Sequence, residues 1–207
     1  MNHSLSSDFP ITDESCKAAT GKTLAEWYAS LDAEGALAKG RRAAVQFLHE
    51  QTKEPWWSTT LAVEYEKLRG VTKKDGLPEG YFICSTKTLG VPVVAAFRAW
   101  TDAQGWSEWL GKALSGEVAE GAAVEIESGE RLSFSRIREN KDLRFTFECE
   151  GYSTPSQVEV QFQDKGGKTG LLGNHTRLQT RSDADSARAA WSVALDSLKK
   201  LVESRGS

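Results

Sequence analysis

Three histidines and three cysteines are the side chains here best suited to acid–base, nucleophilic or metal chemistry. His175 lies in a run, Thr169 to Arg181, that alternates as a strand, and it shares a face with Leu171 and Gly173. Gly173 leaves room beside it, so the imidazole could serve a ligand as acid, base or orienting partner. The competing reading is a hydrogen-bonded structural histidine, and a bulge near Gly173 would turn it to solvent instead. His49 sits alone on a helical stretch and reads as surface; His3 lies in a polar N-terminal run. Cys16, Cys84 and Cys149 are too far apart for a disulfide framework or a metal cluster, so neither a metal nor a cofactor is expected. Cys84 and Cys149 fall in apolar strand patterns and read as inert core. No serine occupies a nucleophile elbow. Thr20-Gly21-Lys22-Thr23 resembles part of a phosphate loop, but Cys16 stands where that loop needs glycine and no strand precedes it. Thr23 and Glu26 read instead as a capping box. No catalytic constellation emerges. His175 is the one candidate, with Arg136 and Tyr152 as polar companions for an enzymatic reading.

Composition narrows the partners. A net charge of −3 over 207 residues offers no electrostatic footprint for nucleic acid. No apolar run reaches membrane-spanning length. The N-terminal stretch lacks the basic and apolar blocks of a secretory signal, and the expected compartment is the cytoplasm. Tryptophan is unusually frequent, seven residues against one methionine.

Three segments must position any site. Residues 1–19 are polar, without period, and read as a flexible tail. Residues 20–78 predict a small three-helix domain: Leu24 to Leu31, Leu37 to Glu50, and a third helix opening at Pro55 with Trp57, Leu61, Tyr65 and Leu68 on one face. Trp56 and Trp57 point about 100° apart on that helix. One is expected in the bundle, the other on the second domain or a partner. Val71 to Gly80 is a linker rich in turn residues. Residues 79–205 then predict a strand (Tyr81 to Thr88), two helices (Val91 to Trp100, with Val94, Phe97 and either Ala95 or Trp100 inward, and one holding Trp106, Trp109 and Leu110), and about five meandering strands. The acidic stretch Glu117 to Glu130 reads as a solvated face. A long helix, Asp183 to Glu203, closes the chain. Its Ala187, Trp191, Ala194, Leu195, Leu198 and Val202 make one stripe, and Asp183 is the expected N-cap.

Several stretches carry a family resemblance: VPVVAAFRAWTDAQGWSEWL, LRFTFEC, KTGLLGNHTRL and ARAAWSVALDSLKKL. With them the segment from Tyr81 to Glu203 resembles the SRPBCC superfamily, which includes START-like and birch-pollen-allergen-like proteins. It looks most like the branch named for the activator of the heat-shock protein 90 ATPase. Asn174-His175 matches a Thr-His-like pair at the end of that family's last strand. Residues 21–88, through TGKTLAEWYASLD and EPWWSTTLAVEYEKLRG, resemble a bacterial helical domain of unknown function found beside SRPBCC domains.

The resemblance implies an α+β helix-grip fold, a bent antiparallel sheet around the C-terminal helix, preceded by the small helical domain. It implies a cavity between sheet and helix for a small hydrophobic ligand such as a lipid or polyketide. Phe134, Phe145, Phe147, Val160, Phe162, Leu171, His175, Trp191 and Leu195 would be its walls, although the same residues could fill the space as core. The alternatives it implies are a stress-related chaperone cofactor acting by protein–protein contact and a polyketide cyclase or hydrolase. The segment from Trp109 to Glu125 departs from the family in being short and lacking its aromatic, Gly-rich hairpin, which implies a smaller or more open cavity.

Overall fold

The computed structural model describes residues 11–205. His3 and the rest of residues 1–10 lie outside the described residues. The chain divides into two compact units with the seam between Gly80 and Tyr81.

The first unit contains five helices among its described residues: α1 (Asp13–Thr20), α2 (Leu24–Ala33), α3 (Ala36–Lys39), α4 (Arg41–Thr52) and α5 (Pro55–Leu68). Two are corrections. Residues 13–19, read as tail, belong to a helix that runs to Thr20, because Thr12 and Ser15 cap it reciprocally and Cys16 is fully buried. The expected helix over residues 37–50 is split at Gly40, whose φ of 82° and ψ of 167° suit glycine alone. The Thr23–Glu26 capping box opens α2, and Gly21 is the left-handed C-cap of α1 rather than part of an anion loop. Trp27, Leu31, Leu48, Trp57, Leu61 and Tyr65 form the core, while Leu68 is 60% exposed. Trp56 and Trp57 both serve this core: their rings meet edge to face at 5.0 Å, and Trp56 packs half-buried on the same cluster. His49 is exposed, as expected.

The second unit has the helix-grip arrangement. Its strands are β1 (Tyr81–Leu89), β2 (Leu114–Gly116), β3 (Ala123–Ile126), β4 (Arg131–Arg138), β5 (Asp142–Glu148), β6 (Ser156–Asp164) and β7 (Thr169–Leu178). They form one antiparallel sheet in the order β1-β7-β6-β5-β4-β3-β2. Helices α6 (Val93–Thr101) and α7 (Ala103–Leu110) bridge β1 to the opposite edge, and α8 (Arg181–Arg205) packs against β1, β7, α6 and α7. Strand β2, three residues long, was not predicted; its Leu114–Gly116 pairs with Val124–Ile126.

Helix α8 begins two residues earlier than predicted, and Thr180 rather than Asp183 caps it. The Thr180 hydroxyl accepts from the Asp183 N–H, and the Asp183 carboxylate accepts from the Thr180 N–H, both at 3.0 Å. All six residues of the predicted stripe are buried. The far end of α8 is fastened too: Gly90 donates its N–H to Glu203 at 2.7 Å, and Arg205 pairs with Glu108. On α6, Val94 is 64% exposed and Ala96 and Ala99 face inward with Phe97 and Trp100, a rotation of the predicted face. Cys84 is exposed and Cys149 half-buried, so neither is the core residue expected. Cys84 lies one place from the inward Ile83 and therefore points to the outer face.

Candidate functional site

Alternation places the inner face of the sheet. Cross-strand register aligns His175 with Val158, Phe145 and Phe134 in one row, and Ser156 with Phe147 and Leu132 in the next. Phe162 opposes Leu171, and Val160 opposes Gly173. All nine residues expected to wall the cavity, Phe134, Phe145, Phe147, Val160, Phe162, Leu171, His175, Trp191 and Leu195, are buried at 7% exposure or less.

Tryptophans from α6 and α7 stand between that face and α8. Trp100 lies 4.9 Å from Trp106, 5.0 Å from Trp109, and stacks at 6.0 Å on Trp191. Trp106 touches Phe134 and Phe145 edge to face. Bulky rings thus occupy the middle of the grip. Trp100, Trp106 and Trp109 stand outside the wall that the strand and helix patterns predict. Their short spacing on either side of Gly105, in a chain so rich in tryptophan, was the available signal. Trp106 donates its indole N–H to the Trp100 carbonyl and Trp109 to the Ala99 carbonyl at 3.1 Å. The Trp100 N–H, wholly buried, has no hydrogen-bond acceptor among the described residues.

At the other end of the row, His175 joins a directed chain of hydrogen bonds. The Trp191 indole N–H donates to His175 Nδ1 at 3.1 Å, and His175 Nε2 lies 2.7 Å from Ser156 Oγ. Ser156 Oγ in turn donates to the Phe147 carbonyl at 3.1 Å. Indole is a donor only, so Nδ1 must accept and the neutral ring carries its proton on Nε2. That direction is the reverse of a nucleophile–base pair, where the imidazole accepts the serine proton and an acid steadies its other nitrogen. The chain works here as a structural tie between β6, β7 and α8. Ser156 lies one residue before the strand that alternation predicts from Gln157.

Of the companions, Tyr152 is beside His175, ring to ring at 6.2 Å, and burial pushes its phenol well above the ordinary range. Arg136 is elsewhere. A register shift between Phe134 and Arg136 turns it outward, where it pairs with Asp142 at 2.7 Å and Glu159 at 2.9 Å.

Open space lies at the mouth of the grip. A cleft of about 340 Å³ separates α7 and the end of β3 from α8. Trp109, Leu110 and Ile126 form one wall; Ala189, Ala190 and Val193 form the other, where small side chains leave the hollow. Its polar end holds Lys112 and Glu130, with nitrogen and oxygen 3.6 Å apart. Glu130 is only 3% exposed, which corrects its reading as part of a solvated face: the tight turn from Ile126, closed by its N–H to the Glu130 carbonyl at 2.8 Å, carries it inward. A second depression of about 460 Å³, beside α6 and the end of α8, is more polar, with Arg98, Asp102, Gln104 and Arg205 among its lining. Among the described residues no three His, Cys, Asp or Glu side chains group to hold a metal ion, and no helix is long and apolar enough to cross a membrane.

With this geometry in hand, the family profile described as "Activator of Hsp90 ATPase homolog 1-like protein" matches residues 91–203, more than half of the chain. The chain belongs to that family. No curated protein matched it. Among solved structures, CalU16 from Micromonospora echinospora aligns with a TM-score of 0.55 at 21% identity, over 58% of this chain and 75% of that one. The Aha1 dimer from Colwellia psychrerythraea gives 0.54 at 17% identity, over 59% and 96%. Ara h 8.0201 gives 0.52 at 12% identity, over 60% and 98%. At such identities these relatives share the fold of the family and nothing finer.

Proposed function

We propose that this family member binds a small, largely apolar molecule at the mouth of the helix grip. The observation that carries the reading is the cleft between α7, β3 and α8: about 340 Å³, walled by aromatic and aliphatic side chains, with a single polar end. Ligand sites generally combine an apolar lining with a few convergent polar groups, in volumes from about 300 Å³ upward. The inward residues Phe134, Phe145, Phe147, Val160, Phe162, Leu171, His175, Trp191 and Leu195 are buried, and none of them lines the cleft, where Trp109 is the aromatic wall. Those inward residues pack on one another, and the guest takes the space at the mouth.

The test is mass spectrometry of small molecules extracted from freshly purified protein, followed by NMR titration of what is found. A stoichiometric apolar compound that shifts Trp109, Ala190 and Val193 supports the reading. A compound that shifts only residues of the first unit overturns it.

A chaperone-cofactor role is favoured by one observation, the description of the matching family. Stimulation of the chaperone's ATPase by the purified protein would establish it, and its absence at saturating protein would remove it.

A further inference from the structure

The second depression, about 460 Å³ beside α6 and the end of α8, shares none of its lining residues with the cleft. Val91, Pro92, Ala95, Ala99 and Val202 give it an apolar wall, and its ionisable groups are Arg98, Asp102 and Arg205.

The carboxylates around it are already engaged. Asp102 stands four residues on from Arg98, a spacing that permits an ion pair on a helix. Its side chain turns to α7 instead and accepts the Gly105 N–H at 3.2 Å as that helix's cap. Glu108 pairs with Arg205 and accepts from the Gln104 amide at 3.3 Å. Glu203, nearby on α8, accepts the Gly90 N–H at 2.7 Å and lies 3.8 Å from Lys199. Arg98 has no ion-pair partner among the described residues. One guanidinium is therefore left unmatched beside an apolar wall. Its planar fork of N–H donors fits the two oxygens of a carboxylate, whereas an ammonium there would face both Arg98 and Arg205.

We infer that this depression is a second binding site, separate from the cleft, for a small carboxylate with an apolar body, which Arg98 holds by its guanidinium. The probes are phenylacetate, the uncharged phenylacetamide of the same shape, and phenylethylamine. Each is titrated into the full chain at pH 7 and followed by NMR at the Ala95, Ala99 and Val202 amides and the Arg98 Nε–H. Phenylacetate is expected to bind about fivefold more tightly than the amide, which matches an exposed ion pair, and the amine more weakly than both. Arg98 is exposed, so Arg98→Gln should leave the fold intact and bring phenylacetate down to the level of the amide. Equal binding of phenylacetate and phenylacetamide, or binding undiminished in Arg98→Gln, overturns the role of Arg98. Phenylacetate shifts at Trp109 and Ala190 in place of Ala95 and Val202, or no shift at all, overturn the second site.

Discussion

Trp191 on α8 donates its indole N–H to Nδ1 of His175 on β7 across 3.1 Å, so the long helix and the sheet it crosses share a buried hydrogen bond. Trp100, stacked on Trp191 at 6.0 Å, has an indole N–H with no acceptor among the described residues. The two tryptophans therefore answer differently to the same substitution. Trp191→Phe and Trp100→Phe remove similar volume, but only the first leaves a buried imidazole nitrogen without its donor. Trp191→Phe should be the more destabilising by about 1–3 kcal/mol, read from urea melts. Equal losses would mean that the bond to His175 contributes nothing net.

The same bond fixes the tautomer. Nitrogen-15 NMR of the imidazole should show the Nε2–H form of His175, and Ser156→Ala should cost about 1–3 kcal/mol because it strips that N–H of its acceptor. An Nδ1–H signal in the native protein would refute the direction of the chain.

The three cysteines should label at separate rates. Cys84 is exposed on the outer face of the sheet, Cys16 is fully buried and Cys149 is half-buried. Burial raises the thiol pKa of both Cys16 and Cys149 above the ordinary value, which lowers their thiolate fraction at neutral pH. A disulfide reagent at pH 7 should modify Cys84 first in the folded protein, and raising the pH should speed Cys149 before Cys16. Cys84→Ser should abolish the fast phase.

Asp142 should contribute to acid sensitivity. Hydrogen bonds from Arg138, opposed by burial and reinforced by Arg136, hold its carboxyl below the ordinary 3.8. A lowered folded-state pKa means that the stabilisation is fully present above 3.8 and is lost as pH falls through the lower folded value. Asp142→Asn should cost about 1.5–3 kcal/mol at pH 7. The gap from the native protein should narrow below the ordinary carboxylate value, as chemical melts at pH 7 and below pH 3.8 would register.

In the helical unit, Gly40→Ala should destabilise by about 1–3 kcal/mol, because φ of 82° with ψ of 167° is a region that residues with a Cβ avoid. Nothing about the β-sheet unit predicts that cost, so the loss should appear as earlier melting of residues 13–68 by hydrogen exchange.

Much of this was legible from the chain. The period of two through Leu143, Phe145 and Phe147, and the three- and four-residue spacing of Trp191, Leu195, Leu198 and Val202, report a local geometry that each segment imposes on its own side chains. Both sets are buried as those patterns require. Elements short of a full period were less legible. Three-residue β2 owes its existence to pairing with β3, and the break at Gly40 to a backbone angle that glycine permits but does not announce. Arg136 shows the limit of alternation: one register shift after Phe134 turns it outward, and nothing in the residue order marks the bulge.

By itself, then, the sequence determined the inward faces of β5 and α8 and the order of the main elements. All of these follow from periodicity and from the cost of exposing apolar surface. Only the tertiary structure decided what His175 touches, that α6 and α7 bring three tryptophans into the grip, and that an apolar cleft lies between Trp109 and Ala190. Those outcomes depend on side chains far apart in the chain meeting at a particular distance and angle. Hydrogen-bond direction and unfilled volume are properties of that meeting, which no local pattern encodes.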